Sequence, residues 1–189
     1  MQVKRVKDLM VPLAEYATVQ EDENLLDAVM ALEEAQNLHT RNNYMHRAVL
    51  VKDANGDVIG KLSQNDVLMG IEPGYQSSKA AEGVSHWELG SEQIKAQIKQ
   101  MKEELGLWRK PLAALCNRAP RIRVKDIMYT PAGGEYVDEN ATLDDAIHQL
   151  VMGRHQSLLV TRGKRVVGIL RLTDVFNEVL NIIKACPVP

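Results

Sequence analysis

Part of this chain is written twice. Val6-Lys7-Asp8-Leu9-Met10 returns as Val124-Lys125-Asp126-Ile127-Met128, and Leu25-Leu26-Asp27-Ala28-Val29 returns as Leu143-Asp144-Asp145-Ala146-Ile147. Both pairs stand 118 residues apart, so the segments between them match in length. Each copy closes on a glycine, an apolar stretch and an aspartate that opens a helical pattern. These phrases are Gly60-Lys61-Leu62-Ser63-Gln64-Asn65-Asp66-Val67 and Gly168-Ile169-Leu170-Arg171-Leu172-Thr173-Asp174-Val175. A duplicated unit buries a face shared with its copy, and the cleft between related units is a natural ligand site.

Each copy reads as short strand, helix, strand, strand, helix, an α/β (α+β) pattern. Tyr16 to Val19 is a short extended segment. The helix from Leu25 puts Leu25, Ala28, Val29 and Leu32 on one face. Ala48 to Val51 and Val58 to Leu62 are strands around the hairpin signal Asn55-Gly56. Ser157 to Val160 and Val166 to Leu170 repeat that hairpin around Arg162-Gly163-Lys164. Residues 1–72 thus form repeat one and 120–185 repeat two, with a linker and helical insertion over 73–119. Within the insertion Ser91 fits an N-cap, Gly106 a stop, and Ile94, Ile98, Met101 and Leu105 an apolar stripe. Lys95, Lys99, Lys102 and Glu103 oppose the stripe; such mixed charge argues against a nucleic-acid helix.

Composition narrows the function by exclusion. A net charge of −2 gives no general attraction to nucleic acid or anionic membrane. No apolar run reaches the ~20 residues of a membrane span, and no signal-peptide core stands at the start. Two cysteines, Cys116 and Cys186, make no disulfide framework, which suits a cytoplasmic protein. With aromatics at 4% and Phe176 the single phenylalanine, aliphatic side chains must build the core. The nucleophile elbow, the phosphate loop and the zinc-helix motif are all missing, so the chain is expected not to be an enzyme. Glu33-Glu34 and Glu103-Glu104 fall on helix surfaces as solvated faces. His39, His86 and His148 show no ligand-like clustering, and no metal site is expected. Asp144 and His148, one helical turn apart, read as a surface pair.

Two units that each close on Gly-apolar-apolar-Ser/Thr-x-x-Asp, behind a hairpin and a helix beginning near Leu-x-Asp-Ala, resemble a CBS-domain pair, or Bateman module. The resemblance covers both repeats and not the segment between them. It implies two tandem CBS-type β-α-β-β-α repeats packed as a pseudo-twofold pair, with clefts that take adenine nucleotides or other adenosyl ligands. It also implies a homodimer of such pairs. By this resemblance Asp66 and Asp174 occupy the ribose position, where an ionised carboxylate accepts from adjacent hydroxyls. Ser63 occupies the phosphate position beside the free N–H groups of the helix start. Repeat two departs there: Arg171 replaces the hydroxyl residue, with Thr173 next to Asp174, and that arginine either meets phosphate or fills the cleft.

Met45-His46-Arg47-Ala48 is similar to the His-Arg of nucleotide-binding units in the AMP-activated kinase regulatory subunit. The resemblance gives His46 and Arg47, and His155 in repeat two, a phosphate role. It also implies that Thr18 and Val19, with their counterparts Tyr136 and Val137, line the nucleoside pocket.

Other readings stay open beside these. Ser63-x-x-Asp66 is also a capping-box pattern, worth about 1 kcal/mol and implying no ligand. His46 and His155 are equally polar residues at strand entrances, and Cys116 reads as a buried or partly buried thiol. The expected function is a regulatory module that binds AMP, ADP or ATP (S-adenosylmethionine being possible), needs no cofactor, and signals to an unidentified protein partner or through its own dimer. The alternative is a ligand-free scaffold with clefts closed by Arg171, Tyr136 or Tyr16. Its insertion, with Trp87, Leu89, Trp108 and the stripe from Ile94 to Leu105, would then be the partner surface.

Overall fold

Leu25, Ala28, Leu32 and Ala35 recur at helical spacing, and all four are buried in the first helix, α1 (Leu25–Leu38). Glu33 and Glu34 between them are exposed. The computed structural model describes residues 3–38, 48–72, 75, 91–104, 106 and 117–186. In the first repeat β1 (Val11–Pro12) and β2 (Thr18–Gln20) precede α1, and β3 (Ala48–Lys52), β4 (Val58–Ser63) and α2 (Gln64–Ile71) follow. Helix α3 (Ser91–Glu104) occupies the insertion, with Lys95, Lys99, Lys102 and Glu103 exposed. The stripe residues Ile94, Ile98, Met101 and Leu105 lie outside the described side chains, as do Trp87, Leu89, Trp108 and Cys116. The second repeat runs α4 (Val124–Ile127), β5 (Tyr136–Asp138), α5 (Leu143–Gly153), β6 (Ser157–Arg162), β7 (Arg165–Arg171) and α6 (Leu172–Ala185).

Each repeat builds one sheet with the same core: a parallel pair followed by an antiparallel hairpin. In the first sheet β2 runs parallel to β3, with Thr18 opposite Leu50, and β3 pairs antiparallel with β4. In the second, β5 runs parallel to β6, with Tyr136 opposite Leu159, and β6 pairs antiparallel with β7. The first strand does not stay at home. β1 leaves its own repeat and pairs antiparallel with β7, Val11 opposite Ile169. Its counterpart Tyr129 makes the reciprocal bridge to Lys61 on β4. Both crossings press on a glycine. A Cβ on Gly168 would stand 2.5 Å from the Val11 carbonyl oxygen and 3.1 Å from Met10 Sδ; one on Gly60 would stand 2.7 Å from Met128 Sδ.

The pseudo-twofold extends to single hydrogen bonds. The N–H of Val6 donates to Ala141 and that of Val124 to Glu23; the N–H of Leu143 donates to Lys4 and that of Leu25 to Ile122. Arg5 donates a side-chain N–H to the Asn140 carbonyl, and Arg123 does the same to Asp22. These contacts tie the segment before each repeat to the helix start of the other.

Three apolar clusters result. One belongs to each sheet and its helices, including Leu25, Val49, Val51 and Leu62 in the first and Leu143, Leu158, Val160 and Leu170 in the second. The third joins the sheets through Tyr16, Leu50, Leu159 and Ile169. The inner strands β3 and β6 are thus covered on both faces, which explains their continuous apolar runs where a half-exposed strand would alternate. Tyr16 is the only aromatic among the buried apolar residues described, and Phe176 is 62% exposed, so aliphatic side chains do make the core.

Candidate functional site

A cavity of about 510 Å³ lies between the repeats. Repeat one lines it with Tyr16, Ala48, Lys61 and the β4–α2 junction from Ser63 to Asp66. Repeat two supplies Tyr129, Glu135, the stretch Arg154 to Ser157, Arg171 and Thr173. Of the residues singled out in the sequence, Ser63, Asp66, His155, Arg171 and Thr173 line this one cavity, and Asp174 is not among its lining residues.

At the β4–α2 junction the chain turns from extended backbone into helix, leaving the first N–H groups without helical partners. Ser63 caps them. Its Oγ accepts from the Asp66 N–H at 3.3 Å, and its own N–H and hydroxyl donate to Asp66 Oδ2 at 2.7 and 2.6 Å. The capping box is real, yet it engages only one carboxylate oxygen. Asp66 Oδ1 has no hydrogen-bond partner among the described residues.

Beside this junction a polar cluster spans the repeats. Glu135, 2% exposed, receives the Lys61 ammonium, the Tyr129 hydroxyl at 2.5 Å and the Ala132 N–H at 3.2 Å. The Lys61 Nζ also sits 5.1 Å from the centre of the Tyr129 ring. Burial pushes the Glu135 carboxyl up, but the lysine, phenol and backbone donors outweigh it and hold it below the usual carboxylate range. The hydrogen bond to that carboxylate pushes the Tyr129 phenol up, and burial and the charges of Glu135 and Asp66 add to it.

The opposite end differs. Arg171 donates from Nε to Asp174 Oδ2 at 2.6 Å and from Nη2 to Oδ1 at 2.8 Å, a bidentate pair with side chains 14% and 10% exposed. Tyr16 is buried beside it. Burial is the main reason its phenol is pushed up to about 12, with the Arg171 charge opposing and the Asp174 charge adding.

A third wall comes from the end of α5. Arg154 has left-handed backbone, φ 52°, and its N–H caps the Leu150 and Val151 carbonyls. That conformation costs a non-glycine residue roughly 1–2 kcal/mol, and it turns the chain so that His155 and Gln156 face the cleft. The imidazole lies over Gly153, where a Cβ would come within 2.0 Å of Nε2.

Not every expected residue reaches the cleft. Thr18 and Val19 line a separate open groove beside α1, together with Glu23, Asp27, Glu33 and Glu34. Those carboxylates would repel a phosphate. Val137 is in the second core and Tyr136 packs against the central cluster. The cleft instead meets the residues just before those strands, Tyr16 and Glu135. His46 and Arg47 lie outside the described residues. Lys61, Tyr129, Glu135 and Arg154 were not singled out from the sequence. Lys61 alone left a sign, as the charge standing where the other copy has Ile169. Among the described residues no cluster of His, Cys, Asp or Glu could hold a metal ion, and no helix is long and apolar enough to cross a membrane.

Comparison with known proteins agrees with this architecture. The CBS domain family model matches residues 6–72 and 124–181. No curated protein matches the chain. Among solved structures, CBSX2, a CBS-pair protein from Arabidopsis thaliana, is 18% identical, with 98% of this chain and 100% of that one covered and a TM-score of 0.59. Its structure in complex with AMP gives 19% identity, coverage of 95% and 98%, and a TM-score of 0.59. The CBS domain of a bacterial CNNM/CorC family Mg2+ transporter in complex with ATP is 15% identical, with coverage of 94% and 87% and a TM-score of 0.57.

Proposed function

The chain belongs to the CBS domain family, with two copies forming one module, and from that premise we propose that it is a non-catalytic sensor of an adenine nucleotide. The observation that carries this reading is the Ser63–Asp66 junction. A carboxylate oxygen with no hydrogen-bond partner among the described residues belongs to a side chain that lines a cavity of about 510 Å³, opposite cationic groups from the other repeat. Asp66 Oδ1 is suited to accept from a ribose hydroxyl. The Ser63 hydroxyl can rotate from Asp66 toward a phosphate, beside the N–H groups of α2. Arg154 and His155 face the same space from the second repeat and would hold the anion by charge-assisted bonds. The AMP and ATP complexes of CBSX2 and of the CNNM/CorC domain support the ligand class.

A ligand so placed touches both repeats, and it shifts their arrangement by the difference in its affinity for the two arrangements. That supplies a means of signalling to a partner protein or across a homodimer. The test is calorimetric titration of the nucleotide-stripped protein with AMP, ADP, ATP and S-adenosylmethionine, repeated on Asp66→Ala. Saturable binding that weakens at least tenfold in a folded Asp66→Ala protein is the expected result. Unchanged affinity in that variant refutes the ribose assignment.

A further inference from the structure

We infer that Arg171 is the resident occupant of the second ribose position, so that the module takes one nucleotide per chain, at Asp66. The inference rests on the nucleotide reading above and concerns the twin site that the duplication should have produced. A guanidinium presents two parallel N–H donors to a carboxylate, the arrangement two adjacent ribose hydroxyls would offer. Arg171 does this to both oxygens of Asp174, in a place where the two side chains are 14% and 10% exposed. A neutral diol cannot replace a cation there without leaving two poorly solvated charges apart.

The corresponding position in repeat one is Ser63, which engages only Oδ2 of Asp66 and leaves Oδ1 without a partner among the described residues. A second position agrees. The residue two before the first parallel strand is the buried Tyr16 on the Asp174 side, where Arg171 and Asp174 both act on its hydroxyl. The residue at the same distance before β5 is Gly134, which is exposed. At both of these positions the larger group stands on the Asp174 side.

The experiment is calorimetric titration of the full chain with AMP and with ATP, comparing wild type, Arg171→Ser and Ser63→Arg, each first checked for folding by circular dichroism. Arg171→Ser is expected to fold, because serine there can rebuild with Asp174 the cap that Ser63 makes with Asp66. Wild type should take one equivalent, Arg171→Ser two, and Ser63→Arg none. Two equivalents in wild type, or a folded Arg171→Ser that binds no more than wild type, overturns the inference. So does Ser63→Arg retaining one equivalent, and that variant decides the matter if Arg171→Ser does not fold. If wild type binds nothing, the Asp66 reading falls by itself. The Arg171 inference then stands if Arg171→Ser gains an equivalent and falls if it does not.

Discussion

Replacing Gly168 by alanine should destabilise this fold far more than replacing Gly60, although the two glycines are copies of one another. A Cβ on Gly168 would lie 2.5 Å from the Val11 carbonyl oxygen and 3.3 Å from its carbonyl carbon. Backbone cannot rotate away as a side chain can. To regain ordinary contact the strand must retreat by roughly 0.9 Å, enough to carry a hydrogen bond out of range. β1 is only two residues long, and Pro12 has no N–H to donate, so little holds the strand against that push. Overpacking of this kind costs about 1–3 kcal/mol, and each lost backbone bond adds about 1 kcal/mol. About 3 kcal/mol is expected for Gly168→Ala. At Gly60 the nearest atom is Met128 Sδ, the far part of a flexible chain, and the Tyr129 carbonyl is 3.1 Å away; about 1 kcal/mol should suffice. The entropic benefit of removing a glycine from the unfolded chain applies to both and cancels in the comparison. In thermal unfolding the drops should be about 6–12 °C and about 2–4 °C, and urea midpoints should fall in the same order with unchanged slopes. Equal losses, or the larger loss at Gly60, would refute the assignment of β1 to the second sheet.

Two further outcomes are expected. Because the Glu135 carboxyl is held below its usual value of 4.5 in the folded protein, its contribution is complete above that pH and is lost as pH falls through the depressed value. The melting temperature of Glu135→Gln should therefore fall less steeply below pH 4.5 than that of wild type, and parallel acid limbs would contradict this. Arg154→Gly should raise the unfolding free energy by about 0.5 kcal/mol once glycine's own entropy offsets the relief of left-handed strain, seen as a higher urea midpoint, while weakening ATP binding. A lower midpoint would show that the strain is not carried at φ 52°.

The parts of the fold that were legible in the sequence are those where local pattern and tertiary position agree. Leu25, Ala28 and Leu32 at helical spacing, and the hairpins around Asn55-Gly56 and Gly163, fall where expected because burial of one face and the turn chemistry demand the same thing. The repeated phrases were legible as repeats, but the reason for them was not. Met10 and Met128 recur because each lies across Gly168 or Gly60 of the opposite copy, a contact no local pattern encodes. β1 was missed because two residues carry no periodicity. Lys61 and Glu135 are 74 positions apart, and nothing near either one announces the other. The sequence leaves Arg171 between phosphate ligand and plug because that choice depends on where the guanidinium goes; in the structure it pairs with Asp174 three residues on. The cavity is lined by residues one or two positions before those the resemblance implies. β2 and β5 spend their side chains on their own helices and on the sheet interface, and the approach to each strand is what faces the cleft.

The crossing of the first strands bears on how such a module can sense anything. Had each repeat kept its own first strand, each cleft end would have been built from one repeat, and a ligand could fill it without touching the relation between the halves. Here the Asp66 end is walled by Lys61 and Ser63 from repeat one and by Tyr129 and Glu135 from repeat two, joined through the part-buried Lys61–Glu135 pair. An anion seated beside Asp66 adds a negative charge next to Lys61, which already shares its ammonium with Glu135 and the face of Tyr129. Whatever the anion draws from Lys61 is taken from a contact that holds the repeats together. On the proposed reading, binding and the register of the two halves would be coupled through one side chain, and by linkage the coupling would run both ways. If the nucleotide prefers one arrangement, a partner that fixes the repeats in that arrangement would raise the nucleotide's affinity by the factor by which the nucleotide raises the partner's.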